Sequence, residues 1–303
     1  MRYWLLALGL LGSLTARGQS PVWALHGAHN TVYLAESVHL LKPGDSVLPA
    51  AFTRAYDDST ELVMEMDLAK LDTDNVSMWM MEHGRYPDGE SLQQALGTQR
   101  YARVVAQAAT LGLPLDIEQL AVLRPWVVAL TLTDLVYLKM GYDPQSGVEE
   151  QLVARTRKDG RPTAGLETLD EELGQLERMS AEDQARFLEL TLKDLKDTDS
   201  ETDQLLKAWR SGDSTELAAQ LSDAYTQFPE LYRVLVKERN QRWLPQIRAY
   251  LGGTHNVLIV VGALHVVGPG GLLDLLRGAG IVATPVLAAD AAGAAQAPSN
   301  SRH

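Results

Sequence analysis

Asn256-Val257-Leu258-Ile259-Val260-Val261, followed by Gly262-Ala263-Leu264-His265, is the stretch that decides how this chain is organised. Its branched apolar residues run on without polar alternation. That pattern describes a strand buried on both faces, as at the centre of a parallel sheet. Gly262 ends the run, Gly268-Pro269-Gly270-Gly271 turns the chain, and residues 272–277 start a helix. Residues 281–284 read as a last strand. A parallel partner must come from elsewhere in the sequence, and the N-terminal part offers it. Val22-Trp23-Ala24-Leu25 and Thr31-Val32-Tyr33-Leu34-Ala35 are β-rich runs joined by Gly27-Ala28-His29-Asn30, a hairpin pattern. Residues 50–58 can form a short helix, and Glu61-Leu62-Val63-Met64-Glu65-Met66 a further strand. The order strand, helix, strand predicts a β-α-β unit.

Between these terminal segments, about 90–250 carries helical periodicity. Ser180-Ala181-Glu182-Asp183 and Thr168-Leu169-Asp170-Glu171 have the form of capping boxes, each before an apolar run of helical spacing. Residues 161–166 form a plausible short strand before the second box, and the charged stretch 197–203 reads as a join between helices. The predicted class is α/β, with α+β as the alternative. A mixed, partly parallel sheet comes from the N- and C-terminal segments, with a large helical insertion between them.

Composition narrows the function. Across 303 residues the formal charge is −12, from 27 basic and 39 acidic residues, so no basic face for nucleic acid is expected. Cysteine is absent, which excludes disulfides, thiolate metal sites and a thiol nucleophile. Residues 1–18 have the layout of a secretory signal peptide: Arg2, an apolar run over 4–14, then Thr15-Ala16-Arg17-Gly18 for cleavage before Gln19. The run is too short to span a bilayer. The mature chain from Gln19, with its folded domain over 19–287, is therefore expected in the periplasm or outside the cell, without a membrane span. Residues 288–303, rich in Ala, Gly, Pro and Ser, read as a disordered tail.

Two places share one local design: Leu34-Ala35-Glu36-Ser37-Val38-His39 and Val260-Val261-Gly262-Ala263-Leu264-His265 each end a β-rich run and arrive at a histidine. A third strand ends at Glu65. Ligands of α/β sheets gather beyond the carboxyl ends of strands, so His39, Glu65 and His265 are candidates for one site. Two imidazoles and a carboxylate suit a divalent first-row metal, and an open coordination position would activate water. The alternatives are ordinary ones: strand-end histidines are often surface residues, and Glu65 between two methionines could face solvent. His26 and His29 flank the hairpin turn, His83 falls at a helix end, and His255 falls in a loop. Ser37 lacks the G-x-S-x-G context of a hydrolase nucleophile, and Gly268-Pro269-Gly270-Gly271 lacks the lysine of a phosphate loop.

These residues, in order, resemble the TraB/GumN family, which is related to the TIKI metalloproteases. The marks are Glu36-Ser37-Val38-His39, Glu65 ending its strand, Leu166-Glu167-Thr168, Arg239-Asn240, and Gly262-Ala263-Leu264-His265 with Gly268-Pro269. The resemblance implies an α/β fold with the two histidine motifs facing each other, and hydrolysis at a metal-dependent site in the TIKI branch. It makes His39, Glu65 and His265 candidate ligands of Mn, Co or Zn, with Glu65 also a candidate base. Arg239 and Asn240 become catalytic partners, and Glu167 and Gly262 further members. Arg239 suits a carboxylate or an oxyanion. One departure is Glu36, where the family carries glycine. It either accepts an ordinary backbone conformation, supplies an extra carboxylate, or marks a site without turnover. The expectation is an extracytoplasmic metal-dependent hydrolase, a peptidase first, acting on a peptide or small-molecule substrate. The alternative is a non-catalytic protein that sequesters a peptide, a metal or a haem-like ligand.

Overall fold

A computed structural model describes residues 19–287 apart from 197, 222–225 and 227–228. The expected export signal and the expected tail lie outside those residues. The protein is a mixed α/β fold built on a six-stranded sheet. The strands are β1 (Val22–His26), β2 (Thr31–Ser37), β3 (Glu61–Met64), β4 (Thr163–Gly165), β5 (Val257–Gly262) and β6 (Ala283–Pro285). They lie in the order β4-β3-β5-β2-β1-β6. β5 is central as its composition demands, parallel to β3 on one side and to β2 on the other. Residues 257–261 are all buried. β4 extends the parallel half beyond β3, whereas β1 and β6 add an antiparallel edge.

The hairpin and the β-α-β unit fold as their patterns predict, with the helix Ala50–Asp58 joining β2 to β3. The two strands are not neighbours, because β5 arrives from the far end of the chain and pairs between them. Several boundaries differ from expectation, the strand read at 161–166 shrinking to Thr163–Gly165 among them. β3 stops at Met64, leaving Glu65 just beyond the ladder, and the last strand is Ala283–Pro285. The helix Thr198–Ser211 takes up residues expected to form a join, since apolar positions later in it pack on the sheet: Leu206 and Trp209 are buried.

Between Leu92 and Leu251 the described residues form helices and the loops joining them, with β4 as their one strand. Among the described residues this segment contributes to three apolar clusters, a small one being Trp126, Val127 and Leu176. Leu92, Val104, Leu132, Leu188 and Leu192 build a second apolar cluster among helices. Val148, Leu152, Trp209 and Trp243 join the sheet's own core instead. Among the described residues, no helix is long and apolar enough to cross a membrane.

Candidate functional site

Because β2, β5, β3 and β4 are parallel, their carboxyl ends lie along one edge of the sheet, where α/β folds bind ligands. Ser37 pairs with Gly262, so β2 and β5 end together, and Met64 pairs with both Val260 and Gly165, so β3 and β4 end together two residues earlier. His39 follows β2 by two residues, Glu65 follows β3 by one, and Glu167 follows β4 by two. His265 sits in the single helical turn Ala263–Val266 that directly succeeds β5.

Gly262 marks the centre. A methyl group on it would lie 3.2 Å from Glu65 Oε1, 3.6 Å from His39 Nε2 and 3.8 Å from His265 Cδ2. Its φ of −53° is one any residue adopts, so a side chain here would meet crowding by the Glu65 carboxylate rather than backbone strain. Its N–H donates to Glu65 Oε1 at 2.6 Å. The three sequence-derived candidates, far apart along the chain, therefore meet at this glycine.

The helix Glu238–Leu251 brings Arg239 and Asn240 to the same place, directly after a π-helical turn over Arg233–Lys237. Arg239 is buried and donates to Glu65 Oε2 at 2.6 Å, to Glu167 Oε1 through Nε at 2.8 Å and again through Nη2, and to the Leu235 carbonyl at 3.3 Å. Its Nη1 lies 3.1 Å from His265 Nε2. The Trp243 indole N–H donates to Glu167 Oε2 at 3.3 Å, and its ring packs against His265 at 4.5 Å between centroids.

Asn240 fixes the protonation pattern of His265. Its Nδ2 donates to the carbonyls of His265 and Gly270 at 3.0 and 3.1 Å, which leaves Oδ1 as an acceptor facing His265 Nδ1 at 2.8 Å. The positive φ of Gly268 and Gly270 lets the Gly-Pro-Gly-Gly turn present that second carbonyl. Nδ1 must then carry the proton, and Nε2 offers its lone pair to the site. Burial lowers the His265 pKa to about 4, so the ring is neutral at pH 7.

The opposite histidine is anchored differently. His39 Nδ1 lies 2.9 Å from Glu149 Oε1, and Ser37 Oγ donates to the same carboxylate. The charge of Glu149 raises the His39 pKa despite desolvation. His39 is the member open to solvent, its side chain 67% exposed, whereas Glu65, Glu167, Arg239, Asn240 and His265 are buried. Burial alone would push Glu65 up, but the facing charges of His265, when protonated, and of Arg239 and His39 hold it well below the usual carboxylate range. Glu167 is raised by burial, although Arg239 opposes the shift.

Glu36 does not join this group. It pairs with Val261 in the regular β2–β5 ladder and turns its carboxylate the other way, to the Trp23 indole at 3.1 Å and the Ser214 hydroxyl at 3.4 Å. Other described histidines are elsewhere: His83 pairs with Glu177 at 2.9 Å and stacks on Trp79, and His26 lies 3.3 Å from Thr31 Oγ1. Three site residues escape sequence reasoning. Glu149 and Glu172 each lie in the acidic first turn of a helix, where a glutamate is expected anyway. Trp243 reads as an ordinary core aromatic. Glu172 places an oxygen within 4.8 Å of Glu65 and Glu167; burial and the Glu65 charge raise its pKa to about 7.

Among the described residues, the group whose possible ligand atoms all lie within 4.8 Å of one another is Glu65, Glu167 and Glu172, with the two histidines beside it. His39 Nε2, a Glu65 oxygen and the Cδ2 edge of the His265 ring approach Gly262, and each ring has an acceptor at its Nδ1, an arrangement usual for metal-bound histidines. Arg239 is the chain's own cation here, already bonded to Glu65 and facing His265 Nε2.

The chain is similar to known proteins along most of its length. Over 245 residues the chain is 22% identical to YbaP of Escherichia coli (strain K12), and equally to YbaP of Shigella flexneri, with 81% of this chain and 87% of each relative aligned. YbaP is named in both as an uncharacterised protein. No solved structure matches the chain. The pattern of the TraB/PrgY/gumN family spans residues 21–285, nearly all of the described chain, and the protein belongs to that family.

Proposed function

We propose that this protein is an exported, metal-dependent hydrolase, a peptidase in the first instance, with His39, Glu65 and His265 holding a divalent Mn, Co or Zn ion. The observation that carries this reading is the convergence of His39 Nε2, Glu65 Oε1 and the His265 ring on the space left by Gly262. A bound ion would supply Lewis acidity and lower the pKa of water at the site. The chain's own groups have complementary roles. Glu65, ionised and held by Gly262 N–H and Arg239, is a fixed negative charge suited to a cation or to a proton from the attacking water. Arg239 presents N–H groups that can stabilise a carbonyl oxygen as it becomes anionic. Asn240 orients His265, and the solvent-facing His39 marks the side from which a peptide or other small substrate enters. Export rests on the signal-like residues 1–18, and the acidic charge leaves no role for nucleic acid.

Metal analysis of the purified mature chain tests this. About one equivalent of divalent metal is expected in the native protein, and His265→Ala should lose both that metal and metal-stimulated peptide hydrolysis. Full metal occupancy in the variant overturns the assignment. A second reading, a non-catalytic binding or regulatory protein, is favoured by Arg239, which already satisfies Glu65, Glu167 and the His265 lone pair. Tight binding of a peptide, metal or haem-like ligand with no cleavage in the presence of all three metals would select it.

A further inference from the structure

We infer that Glu149 is the positioning residue of the metal site, holding His39 so that its Nε2, and not its Nδ1, faces Glu65 and His265; this rests on the metal reading above. The two histidines are not equally constrained. His265 is buried and locked between Asn240 and Trp243. His39 lies in an exposed segment beyond β2, where a free imidazole would sample several rotamers and present either nitrogen. Glu149 removes that freedom. Its side chain is only 7% exposed, Oε1 takes both His39 Nδ1 at 2.9 Å and the Ser37 hydroxyl, and Oε2 is buried without a hydrogen-bond partner.

The backbone around Glu149 is fastened to the histidine segment as well. Val148 N–H donates to the Val38 carbonyl at 3.1 Å, and Gly147 packs so closely on His39 that a methyl there would lie 2.1 Å from its carbonyl oxygen. The helix Val148–Asp159 therefore starts against residues 38–39, with Glu149 in its first turn. Ser37 gains a role from the same contact, because it orients the carboxylate that orients the histidine. A buried carboxylate accepting from a ligand histidine fixes ring orientation and raises ligand basicity, and its loss typically weakens metal affinity by about 10- to 100-fold.

Calorimetric titration of the metal-free mature chain with Mn²⁺, Co²⁺ and Zn²⁺ tests the role. Glu149→Ala should weaken binding by about 10- to 100-fold. Glu149→Gln keeps an acceptor oxygen and should lose less. Glu150→Ala, in the same helical turn, should leave affinity unchanged. In the zinc-loaded protein the His39 Nδ1 proton should be visible by NMR in the native chain and in Glu149→Gln, which separates orientation from folding should the alanine variant be unstable. Equal affinities for native and Glu149→Ala, or equal losses for Glu149→Ala and Glu150→Ala, overturn the role and leave the metal reading standing. A native chain that binds none of the three metals takes down both.

Discussion

Glu36 interrupts an apolar strand and is fully buried, with only an indole N–H and a distant hydroxyl to meet its charge. Burial therefore raises its pKa from 4.5 to about 7. Below pH 4.5 the side chain is protonated in folded and unfolded chains alike and costs nothing. Between there and pH 7 the unfolded chain releases its proton first, so stability falls as pH rises, by about 3 kcal/mol in all. Glu36→Gln should remove this slope and leave the protein more stable than the native chain at pH 8, measured by urea unfolding at pH 5 and pH 8; parallel slopes in the two proteins would refute it. The same residue shows the reach of local reading. Its departure from the family glycine is visible in the sequence, but whether the carboxylate enters the site depends on strand parity. β2 turns Ser37 toward Glu149 and Glu36 away from it.

Helix ends and turns set the geometry one level up. The capping box at Thr168 is complete: Glu171 N–H donates to Thr168 Oγ1, and Thr168 N–H donates to Glu171 Oε2 at 2.8 Å. Thr168→Ala should cost about 1 kcal/mol, lowering the melting temperature by about 2–4 °C in calorimetry; an unchanged midpoint would mean the cap is energetically idle. Such boxes are legible because cap and N3 residue lie three positions apart. The π-helical turn Arg233–Lys237 is not, since it has no comparable local signature. It nevertheless precedes the helix that buries Arg239 and Asn240 together, and its Leu235 carbonyl accepts from Arg239. π-turns are frequent at functional sites.

In the whole molecule, two apolar clusters have different relations to the site. Ile259 is fully buried in the central strand that carries Gly262 and leads into His265, whereas Leu188 belongs to the helical cluster. Each substitution to alanine should cost about 2–5 kcal/mol. Only Ile259→Ala should also weaken metal binding, and equal effects on the metal would argue against separate roles for the two clusters. β5, the hairpin, the Ala50–Asp58 helix and the motif around His265 could be read directly, because period, chain-breaking residues and short spacing are local properties. That β5 inserts between β2 and β3 could not be read, since it is a pairing between residues about 200 positions apart. The recruitment of Glu149 and Arg239 is equally remote. Their residue types are unremarkable where they stand, and they acquire meaning when burial leaves a histidine or a carboxylate in need of one particular partner.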